Sequence, residues 1–158
     1  MAELMEKIGQ ENSDGLFTAF GRIVNTNLQL LQDSLSEAQL TDVRHAFLQC
    51  VLDSDADFTL RVECAHVLHR IGTAAEMPAL RRLLQTKSDE LAARDASSEQ
   101  LAQAEQLIVA ITDVLGDRGD YHVVDTLKRV QSLNNPKLKN RAGSALQGIE
   151  RRKTEIRQ

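Results

Sequence analysis

Leu60-Arg61-Val62-Glu63-Cys64-Ala65-His66-Val67-Leu68-His69-Arg70-Ile71 reappears near the end of the chain as Leu138-Lys139-Asn140-Arg141-Ala142-Gly143-Ser144-Ala145-Leu146-Gln147-Gly148-Ile149, and a weaker copy lies between them over 107–119. The apolar spacing within the copies is helical. Internal similarity on this scale marks stacked helical units: each hairpin has one apolar face too many to be stable alone, and stacking buries it. The offsets give a check on the register. Leu68 aligns with Leu115 at a distance of 47 residues, and Leu115 with Leu146 at 31. The second step is close to one helical-hairpin repeat. The first exceeds it by 16 residues, about the size of the polar, Ala-rich stretch near 86–103, which therefore reads as an insertion. Leu68 and Leu146 take equivalent inward places in this register.

Composition agrees with helix-on-helix packing. The 158 residues suit one domain with a shared core. Apolar residues make up 42% but aromatics only 3%, with no Trp and Tyr121 as the single tyrosine, so the core is built from Leu, Ala, Val and Ile. An all-α chain is expected. No window approaches the roughly 18 uninterrupted apolar residues of a membrane span. The charged start, Met1-Ala2-Glu3-Leu4-Met5-Glu6-Lys7, lacks the apolar core of an export signal. Cys50 and Cys64 fall within helical patterns and read as small apolar fillers in a reducing compartment. A cytoplasmic location is expected.

The net charge of −4 conceals a gradient. Residues 1–60 carry ten acidic and three basic side chains, net −7; residues 61–117 carry nine and six, net −3; residues 118–158 carry four and ten, net +6. An acidic beginning and a basic end bear on partners.

Along the chain, residues 1–8 predict a short helix, and Asn12-Ser13-Asp14 caps a second that carries Leu16, Phe17, Phe20, Ile23, Val24, Leu28 and Leu31. Ser34-Leu35-Ser36-Glu37 has the form of a capping box before a helix with Leu40, Val43, Phe47, Leu48, Val51 and Leu52. Asp53-Ser54-Asp55-Ala56-Asp57 separates it from a helix over 58–71 that Gly72 stops. Thr73-Ala74-Ala75-Glu76 is a second box, opening a helix with Met77, Leu80, Leu83 and Leu84 inward. A break is predicted at Asp95-Ala96-Ser97, then a helix to Leu115, a stop at Gly116-Asp117-Arg118-Gly119, and a helix capped by Asp120 through Val123, Val124, Leu127 and Val130. Asn134-Asn135-Pro136 turns into the last helix, with Pro136 near its first position. No Gly/Ser/Pro-rich linker divides the chain, so a single domain over 1–158 is expected, irregular over 1–54 and clearer in its repeats over 55–158.

Asp55-Ala56-Asp57-Phe58-Thr59-Leu60-Arg61, followed by Ala65, Leu68, Ile71-Gly72, Pro78-Ala79-Leu80 and Leu84, resembles a HEAT repeat. Asn135-Pro136-Lys137-Leu138-Lys139 is similar to the same turn, with Lys139 in the Arg position, and Leu115-Gly116-Asp117-Arg118-Gly119-Asp120 to the turn between helices. The middle unit departs from the pattern, because Ala104-Glu105-Gln106-Leu107 stands where the Asp-to-Arg turn belongs. The resemblance implies a short right-handed α-α superhelix of about four hairpins, with the second helix of each lining a concave side. Those helices are about 58–71, 99–115 and 137–152, and the outward positions on them include Arg61, His66, Arg70, Gln106, Lys139 and Arg141. They are the candidate partner-binding residues, although the repeat itself accounts for Arg61 without a ligand.

No compact catalytic or metal motif survives inspection. Asp53, Asp55 and Asp57 alternate like a calcium loop, but the positions that need Gly and a bidentate Glu hold Phe58 and Cys64. Glu63 and His66 have the spacing of one half of a di-iron site, and no second Glu-x-x-His exists. A Gly-rich phosphate loop, a Cys-x-x-Cys pair and a nucleophile elbow are all absent from the sequence. Neither a metal nor a cofactor is expected, and the chain reads as non-catalytic: a scaffold or adaptor that holds a protein partner. Two other readings stay open. One is a HEAT-like enzyme accessory of the bilin-lyase kind. The other is a protein that grips nucleic-acid backbone through Lys128, Arg129, Lys137, Lys139, Arg141, Arg151, Arg152, Lys153 and Arg157.

Overall fold

A computed structural model describes residues 21–22, 29, 33–93, 98–119 and 121–155. Most of the two helices expected before residue 32, the break at Asp95-Ala96-Ser97 and the Asp120 cap lie outside the described residues. The chain forms two compact units, Met1–Gly72 and Thr73–Gln158. Among the described residues the regular structure is entirely helical, with no strand.

In the first unit α1 (Glu37–Leu52) and α2 (Phe58–Ile71) form a hairpin over the short connection 53–57. The capping box at the start of α1 lies two residues later than the sequence pattern placed it. Ser36 is the N-cap: its hydroxyl accepts from the Gln39 amide at 3.3 Å, and the Gln39 side chain accepts from the Ser36 amide at 2.9 Å. Leu35 and Leu40 hold the positions of a hydrophobic staple and both are buried, which selects this frame over the one starting at Ser34. Glu37 then has no capping role and pairs with Arg44. Asp57 caps α2 by accepting from the Leu60 amide at 3.0 Å. Val43, Phe47 and Val51 of α1 meet Cys64, Ala65 and Leu68 of α2 in a core that excludes water, each large side chain contributing about 1.5–3 kcal/mol.

The second unit holds α3 (Met77–Ala93), α4 (Ser98–Arg118), a 3-10 turn (Tyr121–Val123), α5 (Val124–Ser132) and α6 (Pro136–Glu155). They pack around a square, α3 on α4, α4 on α6, α6 on α5 and α5 on α3. Two hairpins, α3/α4 and α5/α6, thus lie side by side with first helix against first and second against second. Glu76 closes the entry to α3 by accepting from the Thr73 amide and hydroxyl at 2.6 and 2.9 Å. Pro136 opens α6, and Asn135 caps it by accepting from the Lys137 and Leu138 amides at 3.0 and 3.2 Å.

The sequence register holds at three levels. Leu60, Leu107 and Leu138 are buried; so are Cys64, Ile111 and Ala142, and so are Val67, Val114 and Ala145. The fourth level departs from expectation. Leu68 and Leu115 are fully buried, but Leu146 is only half-buried. Its flank of α6 faces α5, as the contact of Gly143 with the Gln131 side chain shows, and α5 has 9 residues where α1 has 16. The shorter helix covers less of that flank.

In the polar stretch near 86–103 the described residues, 86–93 and 98–103, are helical. Its first part continues α3 to Ala93 and its last part begins α4 at Ser98. Eight residues added to one helix and a similar number to its partner lengthen the hairpin by about two turns, roughly 12 Å. Within the stretch 86–93 Ser88 is buried, its hydroxyl bonding back to the Leu84 carbonyl at 2.7 Å. An extension of this kind needs little new core, which is why its composition is polar.

Candidate partner-binding surface

Backbone carbonyls at a helix C-terminus lack partners within the helix and carry partial negative charge, so a guanidinium is a natural cap. Among the described residues Arg61 and Arg152 serve that purpose. Arg61, expected outward, is instead buried at 7% exposure, and its Nε and Nη2 donate to the Val51 carbonyl at the end of α1 at 3.1 and 2.9 Å. It ties the hairpin together. Arg152 of α6 donates in the same way to the carbonyls of Gly116 and Gly119 at the end of α4, at 2.6 and 3.0 Å. Next to that cap the two helices make a close approach. A carbon added at Gly116 would lie 2.6 Å from Ala145 Cβ and 3.0 Å from its Cα, so glycine is what the spacing admits.

The remaining candidates are exposed and are divided between the two units. His66 and Arg70 stand one turn apart on α2 in the first unit. Gln106, Lys139 and Arg141 belong to the second. Gln106 shares the outward stripe of α4 with Ala102, Val109 and Asp113 by its three- and four-residue spacing. Arg141 lies on the flank of α6 toward α4, where its Nε is 3.4 Å from an Asp113 oxygen. Lys139 is two residues away, and positions i and i+2 do not share a helix face; it sits on the α5 side with Gly143.

The open face of α4 and α6 is a self-neutralised seam. Glu105 accepts from Lys137 Nζ at 3.0 Å and from Asn135 Nδ2 at 2.7 Å. The hydrogen bond from Lys137 and then that from Asn135 hold the Glu105 carboxyl below its ordinary value, against the smaller opposing effect of burial. Asp113 and Arg141 repeat the pairing about two turns along α4 and one turn along α6. The basic end is compensated elsewhere too: Arg129 pairs with Asp89 of α3, and Lys153 lies 3.9 Å from Glu150. Sequence could count these charges but not match them, because the partners sit 28 to 40 positions apart in the chain for the pairs that join different helices.

A cavity of about 250 Å³ in the second unit carries no signal in the sequence pattern. Ala74, Met77, Pro78 and Val123 give it apolar walls, with Arg81, Arg118 and His122 beside them. Arg81 donates to the His122 carbonyl at 3.1 Å and so fixes the 3-10 turn against α3. Tyr121, next to it, is 69% exposed, and its ring centroid is 3.8 Å from that of His122. An exposed tyrosine on a fixed turn is a residue type enriched at protein interfaces.

At the connection 53–57 the acidic residues serve the backbone: Asp53 accepts from the Asp55 amide at 2.9 Å, while Asp57 caps α2. Among the described residues no three His, Cys, Asp or Glu side chains gather as a metal site, and no helix is long and apolar enough to cross a membrane. Compared with known proteins, the chain matches no family model, and no curated protein or solved structure shows significant similarity to it.

Proposed function

We propose that this chain is a HEAT-like helical-repeat protein, of the right-handed α-α superhelix class, and that it works without catalysis as a cytoplasmic scaffold or adaptor. Its partner is a protein, held against the face of α4 and α6 that no described helix of the second unit covers. The observation that carries this reading is the packing order of that unit, second helix beside second helix and first beside first, which leaves a two-helix face open on one side. The agreement of buried levels on α2, α4 and α6 supports the repeat. Ala102, Gln106 and half-buried Val109 on α4, with Ser144 on α6, give this face small and neutral contact groups between paired charges.

Charge compensation favours a protein over nucleic acid. Of the basic residues at the C-terminal end, Arg129, Lys137, Arg141 and Lys153 pair with carboxylates and Arg152 caps α4. A phosphate backbone would have to displace those partners, and affinity built on the rest falls steeply with salt. The test is a salt titration of binding to duplex DNA and to proteins captured from the native cell. DNA binding should be weak and vanish near about 0.15 M salt, where the Debye length is about 8 Å, while a protein partner is retained by apolar contact. Tight DNA binding that persists there and disappears in Lys128→Glu, Lys139→Glu would make this a nucleic-acid protein.

A further inference from the structure

The two cysteines, 14 residues apart in sequence, meet across the first hairpin. Cys50 of α1 and Cys64 of α2 are 8% and 1% exposed, and their sulfurs are 2.9 Å apart. A disulfide needs about 2.05 Å, so the sulfurs have to close by only about 0.9 Å. Arg61 holds the same end of the hairpin: its guanidinium grips the carbonyl of Val51, the neighbour of Cys50, and it stands one turn before Cys64. The pair is therefore pre-aligned by a contact independent of the sulfurs.

We propose that Cys50 and Cys64 form an oxidation site, a dithiol that a small hydroperoxide converts to an intramolecular disulfide locking α1 to α2. Burial selects the oxidant, because a bulky disulfide such as glutathione disulfide cannot reach either sulfur while hydrogen peroxide is little larger than water. Cys50, the more open of the two, reacts first. Its thiol loses a proton, the thiolate attacks one peroxide oxygen, the O–O bond breaks, and the leaving hydroxide takes up the proton as water, leaving a sulfenic acid. The Cys64 sulfur then attacks the Cys50 sulfur; the S–S bond forms, the S–O bond breaks, and the departing hydroxide leaves with the Cys64 proton as a second water. Two thiols and one peroxide give one disulfide and two waters. Both electrons come from the sulfurs.

The lock acts on the unfolded chain more than on the folded one. Closing a loop of about 15 residues shifts the unfolding equilibrium of the cross-linked segment by on the order of 100-fold. Oxidation would thus fix the hairpin without moving it.

The experiment treats the reduced full chain with hydrogen peroxide, unfolds it in an alkylating reagent, and maps the peptides by mass spectrometry. The expected result is loss of both thiols together in a Cys50–Cys64 linked peptide within one chain, reversed by dithiothreitol, with a higher urea midpoint in the oxidised form. Cys64→Ser should stop at a Cys50 sulfenic acid that dimedone traps, and Cys50→Ser should leave Cys64 reduced. Both cysteines recovered as alkylated thiols, cross-links between chains, or Cys50 driven to sulfinic acid beside an intact Cys64 in the wild type would each overturn the proposal.

Discussion

Replacing Gly116 by alanine sets two effects of opposite sign against each other on α4. Alanine is the better helix former by about 0.8–1 kcal/mol, so on an isolated helix the change stabilises. In the packed unit the new carbon would stand 2.6 Å from Ala145 Cβ and 3.0 Å from Ala145 Cα, where carbon atoms at rest keep about 3.5–4.0 Å. The second contact is to backbone, so a rotamer change cannot relieve it and α4 and α6 must separate by roughly 1 Å. Overpacking of this kind costs about 1–3 kcal/mol. Separation also stretches the bonds from Arg152 to the Gly116 and Gly119 carbonyls, worth on the order of 1 kcal/mol more. After subtracting the propensity gain, Gly116→Ala should destabilise by about 1–3 kcal/mol. Ala145→Gly in the same chain removes the nearest carbon, so the double variant should recover part of the loss, with a coupling of about 1 kcal/mol. Urea unfolding followed by far-UV circular dichroism gives the four stabilities of the cycle. A Gly116→Ala chain more stable than wild type, with additive effects, would mean that α4 and α6 do not approach as described.

Leu68→Ala should cost about 2–5 kcal/mol, Leu146→Ala about 1 kcal/mol because the side chain is half in water, and exposed His66→Ala within roughly ±0.5 kcal/mol; equal losses at His66 and Leu68 in urea would invert the faces assigned to α2. Thr112 is fully buried and its hydroxyl has no hydrogen-bond partner among the described residues, so Thr112→Val, which keeps the shape, should stabilise by about 1 kcal/mol in thermal unfolding. The folded-state pKa of Glu105 lies below the ordinary 4.5, so its stabilising contribution is complete above the unfolded value and is lost as pH falls through the folded one. Stability measured from neutral pH down into that range should fall less in Glu105→Gln than in wild type, and an unchanged slope would show that the Lys137 and Asn135 contacts carry no weight.

Periodicity makes the helices legible, since a period near 3.6 and the capping residues Asp57, Thr73 and Asn135 act within a few positions of themselves. The frame of the first capping box is ambiguous in sequence because Ser34-x-x-Glu37 and Ser36-x-x-Gln39 both fit the pattern; burial of Leu35 decides it, and burial is a tertiary property. The offset arithmetic points to extra residues near 86–103 but gives no conformation for them; the described ones continue α3 and begin α4. Arg61 is expected outward because the HEAT resemblance puts it on a helix of the concave side; the orphan carbonyl of Val51 that draws it inward is visible only once α1 and α2 are paired. Leu146 shows the reverse case, an apolar residue in an inward register place whose cover depends on the length of a different helix, α5. Lys139 and Arg141 look like one basic cluster in the sequence and lie on opposite flanks of α6. The cysteine pair and the seam of Glu105, Lys137 and Asn135 depend on residues from separate helices meeting, for which a single chain of letters carries no local signal.

Whether the open face of α4 and α6 holds a protein can be decided by affinity capture from the native cell at about 0.15 M salt, a level that screens exposed charge, with quantitative mass spectrometry of wild type beside Gln106→Arg, Ser144→Arg. Both positions are exposed, so the stabilities of the two chains in urea should agree within about 0.5 kcal/mol. If the face is the binding surface, the wild type retains one protein in stoichiometric amount and the double variant loses it. Equal retention by both chains, or a wild type that holds nucleic acid and no protein, would contradict that assignment.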